Sequence, residues 1–160
     1  MDETAAPYPA WVGQTLIDDQ LPWNEAAGLP LEMFAEQYTL HDSYWIGMYC
    51  NIGRDNAAIL LVDWDVVWVP DAIQQQLAPD GRQLFLFIKI EGLHHIATTG
   101  STDGGGLARE IADAEVVQID GKRLMLISDN FGGSLEILFA GASRFLVFTP
   151  DRRPVTLSSA

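Results

Sequence analysis

Apolar positions recur along the chain with two periods, and the change from one to the other falls at Ser43. Before it, Trp11, Val12, Leu16 and Ile17 are spaced for one face of a short helix over residues 11–19. Leu31, Phe34 and Tyr38 mark a second helix over 30–38, with Pro30 at a first-turn position that tolerates it. From Ser43 the period becomes two: Tyr44, Ile46, Met48, Cys50 and Ile52 alternate with Ser43, Trp45, Gly47, Tyr49 and Asn51. A turn over 53–56 leads to a returning strand expected to run from 57 to 70. It would carry Leu60, Val62, Trp64, Val66 and Trp68 on one face, and Ile59, Leu61, Asp63, Asp65 and Val67 on the other.

A polar segment over 71–82 precedes a third strand over 84–91, which is apolar on both faces. That pattern predicts a cover on its outer face, supplied by the N-terminal helices or by a second copy. Gly92 marks a bend, after which 93–96 continues the strand. A glycine-rich loop over 98–106 follows. Residues 115–119 and 122–128 form a hairpin across Asp120-Gly121, a pair suited to the positive φ of a tight turn. Residues 134–140 and 144–149 read as a last hairpin, and 150–160 as a polar tail. The expectation is one mainly β (α+β) domain over 1–160, ordered from about 11 to 150 with loose ends. Two short helices lead into about seven antiparallel strands in meander or hairpin order, forming a bent sheet, sandwich or partial barrel.

Composition narrows the partners more than the fold. The 160 residues can bury roughly 70% of the unfolded surface as one domain. Nine basic against 22 acidic side chains give a formal charge of −13. That balance disfavours nucleic acid, whose binding depends on neutralising phosphates, and anionic membrane surfaces. It favours a basic protein partner, or serves solubility alone. Cys50 is the one cysteine, which excludes an intrachain disulfide and a multi-cysteine zinc site; its apolar strand setting predicts a buried, inert thiol. An acidic N-terminus without an apolar leader, and no membrane-length apolar run, point to the cytoplasm.

Few residues suggest chemistry. His41-Asp42-Ser43 has the residue types of a hydrolase triad, but three consecutive residues cannot stack in line, so a structural role at the helix-to-strand corner is expected. His94 and His95 point to opposite faces of a strand, so no metal is expected. The glycine-rich loop lacks the Gly-Lys-Ser/Thr ending of a phosphate loop, and no cofactor is expected. Asp63 and Asp65 share a strand face roughly 6–7 Å apart. With Trp45 and Tyr49 nearby, they form either an acidic, aromatic partner-binding surface or a glycosidase-like acid pair. The competing expectation is that a helix covers them and both aromatics are core.

Leu40-His41-Asp42-Ser43, entering a strand and followed by a hairpin, resembles the Leu-His-Asp-Ser entry of small bacterial β-rich domains among the immunity proteins of polymorphic toxin systems. Ile90-Glu-Gly-Leu93 and the strand Gly133-Ser-Leu-Glu-Ile-Leu-Phe139 are similar to later parts of such domains. The resemblance implies a non-enzymatic cytoplasmic protein, monomer or homodimer, that binds and neutralises one cognate toxin, for example a basic nuclease. It implies no catalytic residues; Leu40, His41, Asp42 and Ser43 enter as motif positions only. Two other readings stand beside it. One is a small-molecule-binding module or assembly subunit; the other is a hydrolase built on His41 with Asp63, Asp65 or Asp103 in reach.

Overall fold

Two antiparallel sheets are made from one long ladder folded over at a pair of glycines. The computed structural model describes residues 8–18, 21–51, 53, 55–77, 81, 83–100, 110–130 and 132–157. Helix α1 (Ala10–Asp18), a 3-10 turn (Trp23–Glu25) and helix α2 (Leu31–Gln37) precede strands β1 (Tyr44–Asn51) and β2 (Ala57–Trp64). A second 3-10 turn (Val66–Trp68) and the short helix α3 (Asp71–Gln74) lead to β3 (Leu84–Glu91). Then come β4 (Leu93–Thr99), β5 (Asp113–Ile119), β6 (Lys122–Ser128), β7 (Ser134–Phe139), β8 (Ser143–Phe148) and β9 (Pro154–Val155). The first sheet has the order β1-β2-β3-β8-β9 and the second β4-β7-β6-β5.

The fold line lies between β3 and β4 on one chain segment and between β7 and β8 on the other. β3 pairs with β8 up to Ile90↔Ser143, and β4 pairs with β7 from Leu93↔Phe139. In between, the Glu91 N–H donates to Ala142 O, Gly141 N–H to Glu91 O, and Ala140 N–H to Gly92 O, so pairing crosses the corner without a gap. Gly92 has φ +72°, and a Cβ there would sit 2.6 Å from the Gly141 nitrogen. A Cβ on Gly141 would sit 2.6 Å from the Glu91 carbonyl oxygen. Both contacts are with backbone that has no room to yield. A second seam joins the sheets elsewhere. The Asp42 N–H donates to Ile111 O and the Ile111 N–H to Ser43 O, each at 2.9 Å, and Tyr44 bridges Glu110.

The first sheet is the middle layer. One face packs Leu60, Val62, Trp64, Leu86 and Ile88 against Phe34 of α2 and against Met125, Ile127, Leu135 and Ile137 of the second sheet. The other packs Ile59, Leu61, Phe85, Phe87 and Phe148 beneath Val12 and Trp11 of α1. The Trp11 ring meets Phe85 and Phe148 edge-on at 5.8 and 5.9 Å between centroids. The apolar outer face of β3 is therefore covered by the first helix of its own chain.

The mainly β architecture with two leading helices is as expected; several details differ. β2 stops at Trp64, because the Asp65 carboxylate accepts the Val67 N–H and starts the 3-10 turn, so Val66 and Trp68 are not strand positions. Part of the segment expected as loop forms α3. β7 and β8 are not a hairpin: they lie in different sheets, and the glycine corner separates them. β4 likewise leaves the sheet of β3. A bulge between Trp45 and Gly47 resets the alternation in β1, so Trp45 and Met48 face the inner core while Ile46 and Tyr49 face α1. The segment read as a polar tail supplies β9, and its Val155 and Leu157 are core residues. The Asp120-Gly121 hairpin forms with φ of +51° and +78°, both positive as its tight turn requires. No helix among the described residues is long and apolar enough to cross a membrane.

The two corner glycines can be separated from an ordinary turn glycine. Gly92→Ala and Gly141→Ala should each destabilise the protein by roughly 2–4 kcal/mol, since backbone must move to admit the methyl group. Gly121→Ala, strained in φ but with open space around it, should cost about 1–2 kcal/mol. Urea unfolding of the three variants tests the ranking; equal losses would remove the corner's steric argument.

Candidate functional site

Leu40-His41-Asp42-Ser43 builds the second seam. The Ser43 N–H donates to Leu40 O at 3.0 Å, closing a four-residue turn whose third residue, Asp42, has φ +67°. Aspartate tolerates this left-handed region better than most residues, and a turn of this kind requires it. Leu40 is buried in the inner core. Ser43 is fully buried, and its hydroxyl accepts the Asp65 N–H at 2.9 Å, tying the entry of β1 to the exit of β2. These contacts account for Leu40, Ser43 and the backbone of Asp42 as architecture, and no triad forms: the Ser43 hydroxyl lies inside while His41 is outside.

The side chains of His41 and Asp42 lie on the surface. His41 Nδ1 stands 3.1 Å from Asp42 Oδ2, both side chains being about half exposed. The Trp68 indole N–H donates to the same carboxylate oxygen at 3.4 Å, and the His41 and Trp68 rings meet edge-on at 5.7 Å. His41 thus pairs with its own neighbour and not with Asp63 or Asp65; Asp103 lies outside the described residues.

Behind this trio opens a cleft of about 430 Å³ lined by Asp42, Tyr44, Asp63, Trp64, Asp65, Gln83 and Glu110. Four carboxylates converge there from three parts of the chain. Asp63 is the penultimate residue of β2, where it accepts a hydrogen bond from the Gln83 amide at 3.4 Å. Asp65 sits just past the strand end, held by its bond from the Val67 N–H. Glu110 arrives through the bridge to Tyr44, with its carboxylate 3.3 Å from the Asn130 amide nitrogen. Among the described residues no lysine or arginine lines the cleft. Around its mouth Tyr44, Val67 and Trp68 are exposed by 44, 71 and 49%. An open acidic hollow beside large exposed apolar side chains has the composition of a protein-recognition surface, in which apolar anchors supply energy and charge supplies orientation.

The structure brings Asp63 and Asp65 together as expected, but in a cleft and not side by side along a strand. It does not bring Trp45 and Tyr49 to them. The β1 bulge turns these two rings to opposite faces, where they pack on the inner core and on the α1 core respectively. Sequence reasoning missed Glu110, Tyr44, Gln83 and Trp68. Trp68 had a signal, an aromatic two residues before Pro70, but it fell in step with the strand alternation. His94 and His95 lie exposed on β4, and among the described residues no three His, Cys, Asp or Glu are grouped to hold a metal ion. Cys50 is half-buried, not fully buried, and burial pushes its thiol pKa up.

Comparison with known proteins finds no match: no family model fits the chain, and no curated protein or solved structure is similar to it.

Two measurements follow from this geometry. Ser43→Ala leaves the partly buried Asp65 N–H without its acceptor and should cost about 1–2 kcal/mol in urea unfolding, whereas Asp42→Gly, which keeps the left-handed turn, should cost less. For Cys50, a raised pKa keeps the thiol protonated at neutral pH. Alkylation by iodoacetamide should lag behind a free cysteine and rise only at more alkaline pH, and stability tied to this thiol should be lost as pH climbs through the folded-state pKa. Alkylation as fast as that of free cysteine at pH 7 would contradict it.

Proposed function

We propose that this chain is a non-enzymatic, immunity-type protein that binds and neutralises a basic protein toxin in the cytoplasm. The observation that carries the reading is the cleft at Asp42, Asp63, Asp65 and Glu110, with Tyr44, Val67 and Trp68 exposed at its mouth. A partner's lysine or arginine side chain fits such a hollow, and the surrounding apolar side chains fit its neighbours. The formal charge of −13 extends the attraction beyond contact distance and speeds encounter with a cationic partner. The Leu-His-Asp-Ser resemblance supports the fold more than the activity, since most of that motif does structural work here.

Besides a small hollow of about 130 Å³ between α2 and β5, the small-molecule reading has a groove of about 480 Å³ between Phe145–Phe148 of β8 and the chain around β9. Its walls are mostly apolar, and among the described residues Glu25 is the single ionisable one lining it, so these residues supply few of the converging polar groups that orient a ligand. The acidic cleft is the better-supported site.

Co-expression with the product of a neighbouring toxin gene should rescue growth. Asp63→Lys combined with Glu110→Lys should weaken binding by roughly tenfold to a hundredfold, mostly through the association rate, and the gap should narrow as salt rises. Trp68→Ala should act mainly on the dissociation rate. Undiminished protection by the double reversal, in a variant with unchanged unfolding, would sink the assignment of this cleft.

A further inference from the structure

One sheet face remains after both cores are accounted for. The pairing of β4, β7, β6 and β5 puts Val117, Leu124 and Leu138 side by side in one cross-strand row on the outside of the second sheet, with exposed His95 at its end. The next row holds Glu115, Leu126, Glu136 and Ala97, and Ile119 with Lys122 flanks the first row on the other side. Val117 and Ile119 are each 42% exposed, and Leu124, Leu126 and Leu138 are partly exposed. None of the five belongs to either hydrophobic core. The one described helix packed substantially against this sheet is α2, which meets β5 over residues 113–116 and leaves the outer row uncovered. An outward face of an antiparallel sheet normally alternates to polar residues; five large aliphatic side chains here form a contiguous patch instead.

We infer that this outer face is a docking surface for an amphipathic helix of a partner protein whose apolar stripe is bordered by lysine or arginine. Charge selects this occupant. The patch is bordered by Asp113, Glu115 and Glu136 against Lys122, so a cationic fringe is attracted, whereas a second copy would bring the same excess of carboxylates and another −13. Area agrees. Four strands about 4.8 Å apart and six or seven residues long give a face of roughly 400 Å², about half of what each partner contributes to a stable dimer. Geometry fits a helix. The row from Val117 to Leu138 crosses two strand spacings, about 10 Å, which matches the rise of about 10.5 Å between residues i and i+7 of a helix. Such a helix would lie across the strands with Leu124 beneath its middle turn and Glu115 and Glu136 along one flank. This inference does not rest on the acidic cleft, which lies at the seam of residues 42–44 with 110–111 and shares none of the patch residues.

The test uses two synthetic peptides of equal charge, an amphipathic leucine/lysine helix and its serine/lysine counterpart, titrated into the intact protein. The leucine/lysine peptide should bind at least about tenfold more tightly, as expected for burying a few aliphatic side chains. Leu124→Ser with Leu138→Ser should abolish that preference. Glu136→Lys should weaken binding of both peptides, and it leaves the apolar row intact should the double variant fold poorly. Amide shifts on titration should map to β5, β6 and β7. Equal affinity for the two peptides, or a preference that survives the double substitution, would overturn the proposal. So would a concentration-dependent dimer in sedimentation that the double variant abolishes, since a second copy would then be the occupant.

Discussion

Everything in this fold depends on how closely two backbones can approach at Gly92 and Gly141. β3–β4 and β7–β8 are two chain segments paired along their whole length, and the pair can fold back on itself only where neither carries a side chain. The amide of Gly141 reaches the Glu91 carbonyl at 3.0 Å, a distance that leaves no space for a Cβ on either glycine. Once that crease is set, Phe139 and Ile137 on one side must face Ile88 and Leu86 on the other, and the inner core is defined. The remaining strands extend the two halves, and Arg123 locks the crease to α2. Its guanidinium donates to Gly141 O at 2.8 Å, reaches Glu32 at 3.3 Å and lies over the Phe139 ring.

The seam at residues 42–44 and 110–111 is a consequence of that crease. Folding the ladder carries the start of β5 to the start of β1, where a short stretch of pairing holds the open edges together. It also brings Glu110 beside Asp42, Asp63 and Asp65, carboxylates that would repel one another in a closed interior. They are tolerated because the hollow is open to water, which screens like charges. The same bonds that make the motif architectural therefore explain why the surface next to it is acidic.

What the sequence disclosed, and what it hid, follows from the range of each signal. The Asp120-Gly121 hairpin, the limits of β3 and the two leading helices are local patterns, and each was legible. The partnership of β7 with β4, and of β8 with β3, is not local. Two strands separated by Ala140-Gly141-Ala142 look like a hairpin until a second glycine about fifty residues upstream is seen to share the corner. The alternation in β1 misled for a related reason: one extra residue at the bulge inverts every later side chain, so Trp45 and Tyr49 were placed on one surface and lie on two. Of the cleft, Asp63 and Asp65 were legible as a pair. Glu110 was not, because only the seam relates it to them.

Three layers of apolar side chains run through the chain, and two of them have a cover supplied from within it. α1 lies over the outer face of the first sheet with Trp11 and Val12, and the second sheet covers its inner face. The third layer, Val117, Leu124, Leu126 and Leu138, has no such cover among the described elements. The acidic cleft and this aliphatic row differ in what they offer a partner. Exposed carboxylates act at a distance and are screened by salt, so they govern how fast a complex forms. Desolvated aliphatic side chains act only in contact, so they govern how long it lasts. A protein that must first find and then hold a cationic partner needs both, and this fold builds them from different residues, so each can be changed by its own substitutions.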